Sequence, residues 1–232
     1  MSSSQFRFKK FSVRQDNCAM KINTDSVLLG SWATLRAHTR VLDIGTGTGI
    51  LALMAAQRCA EHVDAVEINA EAAQQALENT QNSPWHDIIS IHHCDIKNYS
   101  PTKTYHHILA NPPYYDNTLL PPDKARRQAR NTQSLALELL AHCAAYMLAE
   151  DGSFSMIYPS DTEQKLETVF AGEGLYPSRK TLVHTREGKP PRRILIEFTK
   201  EVRNTTTTHL TLADLQGTPT EEYTTLTQDF YL

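Results

Sequence analysis

Four consecutive residues, Asn111, Pro112, Pro113 and Tyr114, follow a short apolar run at residues 108–110. Proline has no amide N–H, so a turn built from two prolines presents carbonyl oxygens without competing donors. An amide oxygen, a backbone carbonyl and an aromatic ring together suit a planar, conjugated –NH2 group, such as that of a nucleobase or a side-chain amide. We interpret the tetrapeptide as a candidate catalytic site for such an amine. The alternative is that the prolines only end a strand, which the tyrosine ring covers.

A glycine-rich turn between a predicted strand and a predicted helix forms a candidate cofactor site. Gly45, Gly47 and Gly49 allow the chain to turn sharply and bring its backbone against a ligand. Ile50 stands where a dinucleotide fingerprint has its third glycine, and the Asp43 carboxylate would repel a pyrophosphate but attract a cationic ligand. S-adenosylmethionine carries an ammonium and a sulfonium and no phosphate. We therefore predict that this turn binds S-adenosylmethionine.

Acidic residues end the next two predicted strands. Glu67 follows the turn at the distance where a carboxylate accepts the hydroxyls of an adenosine ribose. Asp95 could accept a hydrogen bond from the adenine amine, with Ile96 packing on the ring. All three lie at the carboxyl edge of the predicted sheet, where ligands of open α/β folds bind. We expect them to complete the cofactor site.

The elements that must position these residues alternate between strands and helices from residue 40 onward, which predicts an α/β fold with a mostly parallel sheet covered on both faces. Strands are predicted at 40–44, 63–68, 88–93, 106–110 and 153–158, and helices at 49–59, 70–80, 132–149 and 161–171. Two further strands, 175–184 and 192–199, flank a polar loop. We expect these two to form a hairpin that places an antiparallel strand at the sheet edge.

Both ends of the chain add short elements. A helix is predicted from Thr24-Asp25 to Trp32, with Thr24 or Asp25 as its cap. A short strand near 209–212 and a helix after Pro219 are predicted at the other end. At 232 residues the chain is expected to fold as one unit.

Composition excludes several classes of protein. The chain is 40% hydrophobic and 21% charged, and no uncharged stretch approaches the roughly 18 residues of a membrane helix. We expect no membrane association and a cytoplasmic location. Four scattered cysteines, Cys18, Cys59, Cys94 and Cys143, indicate neither disulfides nor a zinc site. The pairs His92-His93 and His106-His107 lie in predicted strands, where adjacent side chains point to opposite faces, so no metal site is expected.

Basic residues are concentrated in three segments although the net charge is −3. One segment directly follows the Asn-Pro-Pro-Tyr turn, where a polyanionic substrate would lie. The alternative for each segment is an ordinary solvated surface. The candidate RNA-binding residues are Lys21, Lys124, Arg126, Arg127, Arg130, Arg192 and Arg193.

Methyl transfer to the N6 amine of adenine is the reaction that these residues suggest. The amine is a poor nucleophile because its lone pair is delocalised into the ring. Acceptors at Asn111 and at the Pro112 carbonyl would draw the nitrogen towards tetrahedral geometry and stabilise the positive charge that develops on it. Tyr114 would stack on the base, an interaction worth roughly 1–3 kcal/mol. A base in a helix or a stacked loop would have to swing out to enter the pocket.

Several segments together resemble the bacterial valine-tRNA adenine N6-methyltransferases, which are similar to class I methyltransferases and have a Rossmann-like, doubly wound sheet. The resemblance covers nearly the whole chain and is carried by residues 16–21, 24–25, 28–32, 41–49, 79–85, 111–115 and 223–232. It implies that the adenine-37 next to the anticodon is modified, and that the N-terminal stretch around Lys21, Thr24 and Asp25 closes over the cofactor. Ile22-Asn23 and Ser26 depart from the residues usual in that family.

The resemblance also suggests three divisions of the chain. Residues 1–39 would be an N-terminal extension packing over the cofactor site, residues 40–200 the S-adenosylmethionine-dependent methyltransferase domain, and residues 201–232 a C-terminal extension of the same domain. We expect a monomer that acts on tRNA.

Other functions remain open at this level. A protein glutamine N5-methyltransferase uses the same tetrapeptide, since a side-chain amide presents the same planar –NH2, but such enzymes normally carry a larger helical N-terminal domain. The pocket would equally accept adenine from DNA or ribosomal RNA. A catalytically silent RNA-binding module is a further alternative.

Overall fold

The computed structural model describes residues 5–16, 22–58, 60–113 and 124–232, with the side chains of residues 124–135 outside the description. Ten strands and six α-helices lie within these residues. The strands are β1 (Gln5–Arg7), β2 (Ser12–Arg14), β3 (Arg40–Ile44), β4 (His62–Glu67), β5 (Ile89–His93), β6 (Tyr105–Ala110), β7 (Leu148–Pro159), β8 (Tyr176–His184), β9 (Pro191–Thr199) and β10 (Thr206–Thr211). The helices are α1 (Thr24–Trp32), α2 (Ile50–Gln57), α3 (Ala70–Gln81), α4 (Lys124–Met147), α5 (Glu163–Gly172) and α6 (Glu221–Thr227).

Eight strands form one sheet in the order β10-β8-β9-β7-β6-β3-β4-β5. Strand β9 is antiparallel to both β7 and β8, and the other neighbouring pairs are parallel. The mostly parallel sheet with an antiparallel C-terminal hairpin strand is thus confirmed. The antiparallel strand does not lie at the edge, however, because β10 pairs in parallel with β8 and takes that place.

Helices cover both faces of this sheet, which makes the fold doubly wound. Helices α1 and α2 bury residues such as Leu29 and Leu53 in one core, with Val41 of β3. Helices α4 and α5 pack in a second core on the opposite face, with Leu42 of the same strand. Because successive residues of β3 enter different cores, the strand reads as a continuous apolar run.

Three expectations about boundaries were wrong. Strand β7 begins at Leu148, five residues earlier than expected, because Leu148 already pairs with Tyr105 of β6; Glu150 and Asp151 break the apolar pattern, and the register shifts there. Helix α4 begins at Lys124, in a polar segment without apolar periodicity. The cap of α1 is Asn23, whose Oδ1 accepts a hydrogen bond from the Ser26 amide at 3.1 Å, so Thr24 and Asp25 are already helical.

An N-terminal hairpin, β1 with β2, was not predicted. Its Phe8 and Phe11 rings stack with centroids 4.7 Å apart, and Phe8 also stacks on Tyr231. The Lys9 amide donates to the Phe230 carbonyl at 2.9 Å. The two ends of the chain therefore pack together next to α1 and α2. No helix in the described part of the chain combines the length and apolar character required to cross a bilayer.

Candidate active site

The glycine-rich turn and the Asn-Pro-Pro segment lie side by side at the carboxyl ends of adjacent strands. Ile44 at the end of β3 pairs with Ala110 at the end of β6, and Gly45 and Asn111 follow directly. From β3 the chain proceeds to β4 and β5 on one side, and from β6 to β7 on the other. This is the point in an open α/β sheet where the winding reverses and where ligands bind.

A cleft of about 390 Å³, open to solvent, occupies this point. It is lined by Ile22, Asn23, Ser26, Gly45, Thr46, Gly47, Thr48, Ile50, Leu51 and Asn111. The structure therefore brings Gly45, Gly47 and Asn111 together as expected. Ile22, Asn23 and Ser26 were not predicted as site residues. At these three positions the sequence differs from the residues usual in the family that it resembles.

Left-handed backbone at the three glycines shapes the turn. Gly45, Gly47 and Gly49 have φ angles of +73°, +55° and +83°. Gly49 is the N-terminal cap of α2, and a Cβ atom there would lie 3.4 Å from the Cα of Ala76 in α3. Glycine at this position thus provides both the backbone conformation and the close approach of α3.

Glu67 braces the turn from the end of β4. Its Oε2 accepts a hydrogen bond from the Gly47 amide and its Oε1 from the Asn69 amide, both at 2.9 Å. Each carboxylate oxygen has a further lone pair and can still accept a ligand hydroxyl. The next residue, Ile68, is 65% exposed and offers apolar surface at the same strand end.

Asp43 lies behind the turn and does not line the cleft. It is fully buried, and its Oδ2 accepts a hydrogen bond from the Thr46 hydroxyl at 2.5 Å. Burial raises the pKa of Asp43 to about 7, the Thr46 hydrogen bond opposes this rise, and the Glu67 charge adds to it. Its Oδ1 has no hydrogen-bond partner among the described residues. Through its hydrogen bond with Thr46, the Asp43 side chain holds the turn from behind.

Asp95 and Ile96 lie beyond the end of β5, at the same edge of the sheet but outside the cleft lining. Asp95 caps a short 3-10 helix, its Oδ1 accepting from the Lys97 amide at 3.0 Å, and the Lys97 ammonium lies 3.4 Å from its Oδ2. Ile96 is half-buried against the core that contains α4. An adenine ring would have to extend across β4 to reach them.

Asn111 has an unusual hydrogen-bonding environment. It is 8% exposed, and its Nδ2 donates to the Ser26 hydroxyl at 3.0 Å. Its Oδ1 is buried and has no partner within the described residues. An unsatisfied buried acceptor costs about 1–3 kcal/mol, so its presence requires an explanation. Pro112 is half-buried and Pro113 exposed, whereas Tyr114 lies outside the described residues.

Thr24 and Asp25 do not line the cleft. Thr24 is exposed, and the Asp25 Oδ2 accepts a hydrogen bond from the Arg193 guanidinium at 2.8 Å. A predicted cofactor residue and a predicted RNA-binding residue thus form an ion pair with each other.

The remaining basic candidates differ in how much the structure describes. Arg192 is exposed next to Arg193. Lys21 lies outside the described residues. Lys124, Arg126, Arg127 and Arg130 lie on the first two turns of α4, where only the backbone is described. No group of three or more His, Cys, Asp or Glu in the described ranges could hold a metal ion.

Asn79 of α3 connects the N-terminal hairpin to the cofactor turn. Its Oδ1 accepts from the Arg14 amide, and its Nδ2 donates to the carbonyls of Arg14 and Thr48, all at 2.8 Å. All its hydrogen-bonding positions but one acceptor lone pair are therefore used. Through this side chain, β2 and the turn are held at a fixed separation.

Comparison with known proteins identifies similar sequences. The model of the methyltransferase small domain family matches residues 17–173. A tRNA1(Val) (adenine(37)-N6)-methyltransferase of Bacteroides fragilis strain YCH46 is 42% identical over 235 residues, covering 100% of this chain and 99% of the relative. The protein of the same name from Phocaeicola vulgatus is 40% identical over 232 residues, again covering 100% and 99%.

Solved structures share the fold at low sequence identity. A protein described as a predicted O-methyltransferase from Agrobacterium tumefaciens has a TM-score of 0.70 and 21% identity, covering 89% of this chain and 96% of the other. An N-methyltransferase from Bradyrhizobium japonicum in complex with S-adenosyl-L-homocysteine has a TM-score of 0.51 and 17% identity, covering 74% and 82%. Both are similar to this chain in fold.

Proposed function

Because the chain belongs to the methyltransferase small domain family and to the tRNA1(Val) (adenine(37)-N6)-methyltransferases, we propose that it methylates the N6 amine of adenine-37 in valine tRNA. The observation that carries this proposal is the buried Asn111 Oδ1. It is an acceptor without a partner among the described residues, and its side chain lines the cleft beside the glycine-rich turn. An amine hydrogen is the partner that it lacks.

S-adenosylmethionine is the cofactor, and when bound it supplies an electrophilic methyl group. The residues present fit it. The turn from Gly45 to Gly49 offers close backbone approach, and Glu67 retains acceptor capacity for the ribose hydroxyls. Exposed apolar surface at Ile68 suits the adenine ring, with Asp95 and Ile96 further along the same edge.

Asn111 and Pro112 would bind and orient the target amine. One amine hydrogen would be accepted by Asn111 Oδ1 and the other by the Pro112 carbonyl, which turns the nitrogen lone pair out of the ring plane. Acceptors held in advance lose little to reorganisation as positive charge develops on nitrogen. Alignment of the nitrogen with the methyl carbon supplies much of the remaining rate enhancement. In this proposal Tyr114 stacks on the flipped base.

A basic surface next to the cleft would hold the RNA backbone. Support comes from two contacts on α1: Ser26 bonds Asn111 at 3.0 Å, and the preceding residue, Asp25, bonds Arg193 at 2.8 Å. The loop before Arg193 is therefore close to the cleft. This loop and the start of β9 carry three exposed basic residues that form no ion pair with any described carboxylate, namely Arg186 and Lys189 in the loop and Arg192 in the strand. Lys21 and the basic positions of α4 are further candidates.

The proposal also covers the divisions of the chain, its oligomeric state and its location in the cell. Residues 1–39 pack over the cofactor site, a view supported by Ile22, Asn23 and Ser26 in the cleft lining. Residues 40–200 form the methyltransferase domain and residues 201–232 extend it. The protein acts as a monomer in the cytoplasm.

Methyl transfer from labelled S-adenosylmethionine to four candidate substrates tests the reaction class. The protein is incubated in parallel with unmodified bulk tRNA, with ribosomal RNA and DNA, and with a purified peptide-chain release factor. We expect label in tRNA as N6-methyladenosine. Label in the release factor would instead identify a protein glutamine methyltransferase, and label only in DNA or ribosomal RNA would reject tRNA as the substrate.

A further inference from the structure

A chain of hydrogen bonds connects the first turn of α1 to the amide of Asn111. The Asn23 Oδ1 accepts from the Ser26 amide at 3.1 Å and lies 3.4 Å from the Ser26 hydroxyl. The same hydroxyl accepts from Asn111 Nδ2 at 3.0 Å. Ser26 and Asn111 are both at least nine-tenths buried. Few other partners can therefore compete for the bond between these two residues, whereas Asn23 is exposed.

The direction of this chain is determined by its first member. A backbone amide can only donate, so the atom of Asn23 that faces the Ser26 amide must be the oxygen. That oxygen can only accept, so the Ser26 hydroxyl directs its hydrogen towards Asn23. The Ser26 oxygen then presents lone pairs to Asn111, which favours the donor Nδ2 on this side. Asn111 Oδ1 is left facing the cleft.

We propose that Asn23 and Ser26 are positioning residues that fix the orientation of the Asn111 amide so that its oxygen faces the target amine. This proposal rests on the proposed function. A flipped amide would present –NH2 to an amine that also donates, and two donors repel. Without Ser26 the Asn111 –NH2 loses its hydrogen-bond acceptor, so flipped and rotated orientations of the side chain together outweigh the productive one, which becomes a minor fraction of the enzyme.

The size of the effect follows from one ordinary hydrogen bond. Loss of such a bond changes an equilibrium by roughly tenfold at most. Ser26 lines the cleft, but its bond to Asn111 includes no group of the glycine-rich turn, so its loss is expected to change cofactor affinity much less than turnover. Turnover, not cofactor binding, is therefore the quantity that this hydrogen-bond chain from Asn23 through Ser26 to Asn111 controls.

Ser26→Ala in the full-length protein tests whether this hydrogen-bond chain positions the Asn111 amide. The substitution removes only the hydroxyl, since the bond from the residue-26 amide to Asn23 remains and alanine favours the helix. We expect kcat for methylation of valine tRNA to fall about tenfold, with the Kd for S-adenosylmethionine within about twofold of wild type. Ser83→Ala is the matched control, because this buried hydroxyl likewise donates one hydrogen bond and accepts another, in this case with backbone groups away from the cleft.

A double-mutant cycle separates positioning from a general structural role. If Ser26 acts through Asn111, then Ser26→Ala lowers kcat about tenfold in wild type and less than about twofold in the Asn111→Ala background. Equal losses in both backgrounds, or unchanged kcat in the single variant, would overturn the proposal. Wild-type protein that does not methylate tRNA would reject the proposed function instead, so the two failures are distinguishable.

Discussion

At the scale of single residues, the chemistry centres on one amide whose two ends have different roles. The nitrogen of Asn111 is bonded to Ser26, and its oxygen is buried without a partner in the described part of the chain. Folding alone would favour a side chain with both ends satisfied, or an apolar one. The unsatisfied oxygen is thus better explained by a substrate hydrogen than by stability.

Replacement of Asn111 by alanine is expected to lower kcat by a factor of about 10²–10³, as the loss of one preorganised charge-stabilising group typically does. The Kd for S-adenosylmethionine should stay within about threefold of wild type. Steady-state kinetics and calorimetry measure the two quantities. Asn82→Ala, at the end of α3, is the control for an asparagine outside the cleft. A variant with wild-type kcat would remove Asn111 from the mechanism.

His107 predicts a pH dependence of stability. Its Nε2 accepts from the Arg36 amide and its Nδ1 pairs with the Ser153 hydroxyl, both at 3.0 Å, and burial lowers the pKa of His107 to about 4. The unfolded chain binds a proton near pH 6.5, so between about pH 6.5 and 4 it holds a proton that the folded protein lacks. Stability should therefore fall as the pH falls through this window, by up to about 1.4 kcal/mol per pH unit.

Urea denaturation of wild type and His107→Gln at several pH values isolates this contribution. Other titrating groups are shared, so the variant should show a flatter decline of unfolding free energy below pH 6.5. Parallel curves for the two proteins would show that His107 is not held neutral.

The sequence alone was sufficient to predict those site residues that are defined by their neighbours along the chain. Glycines at a strand-to-helix turn and acids at strand ends are recognisable from spacing alone, as Gly47 and Glu67 demonstrate. Ser26 and Asn23 depend on the packing of α1 against the end of β6, a contact between residues 85 positions apart that no local pattern records. The ion pair that engages Asp25 with Arg193 was invisible for the same reason.

At the scale of elements, α3 holds the N-terminal hairpin and the cofactor turn together through Asn79. We expect Asn79→Ala to reduce the free energy of unfolding by at least about 1–3 kcal/mol, because it leaves backbone groups of Arg14 and Thr48 without their partner. The Kd for S-adenosylmethionine should rise about tenfold or more as the turn loosens.

Chemical denaturation and calorimetry measure these two effects of Asn79→Ala. Asn82→Ala serves as the control, since the Asn82 side chain is exposed and, among the described residues, bonds to the Glu78 carbonyl alone. A destabilised Asn79 variant with unchanged cofactor affinity would show that the hairpin and the turn are not coupled.

The elements missed from the sequence share a physical cause. Strands β1 and β2 are three residues each and gain stability from aromatic packing against the C-terminus. The early turns of α4 are polar, so they lack the periodicity that identifies amphipathic helices. The edge position of β10 is a matter of long-range pairing, in which the hydroxyls of Thr208 and Thr181 lie 2.7 Å apart. Strongly periodic and continuous apolar segments, in contrast, were predicted as the correct type of element, although the start of β7 and both ends of α4 differ from the prediction.

At the scale of the whole molecule, the distribution of charge matters more than its net value of −3. Exposed Lys189 and Arg192 lie at the edge of the sheet that carries the cleft, whereas exposed Lys103 and Arg203 precede β6 and β10 at the opposite edge. A polyanion reaching the cleft would contact the first pair and not the second.

Charge reversal at each pair tests this orientation. Lys189→Glu with Arg192→Glu should weaken tRNA binding and reduce the salt dependence of log K by about two phosphate contacts. Lys103→Glu with Arg203→Glu changes the net charge equally and should leave the slope nearly unchanged. Binding isotherms at several salt concentrations provide the slopes. Equal effects of both pairs would indicate non-specific attraction to net charge.

Mapping the methyl group on a defined substrate tests most directly whether Asn111 directs methylation to the N6 amine of adenine-37. Purified protein is incubated with S-adenosylmethionine and an unmodified valine tRNA transcript, and the product is digested and analysed by mass spectrometry. We expect one N6-methyladenosine at position 37, strongly reduced with Asn111→Ala and absent from a transcript with guanine at that position. A methyl group on a ring nitrogen or at another nucleotide, or a yield unaffected by Asn111→Ala, would contradict this expectation.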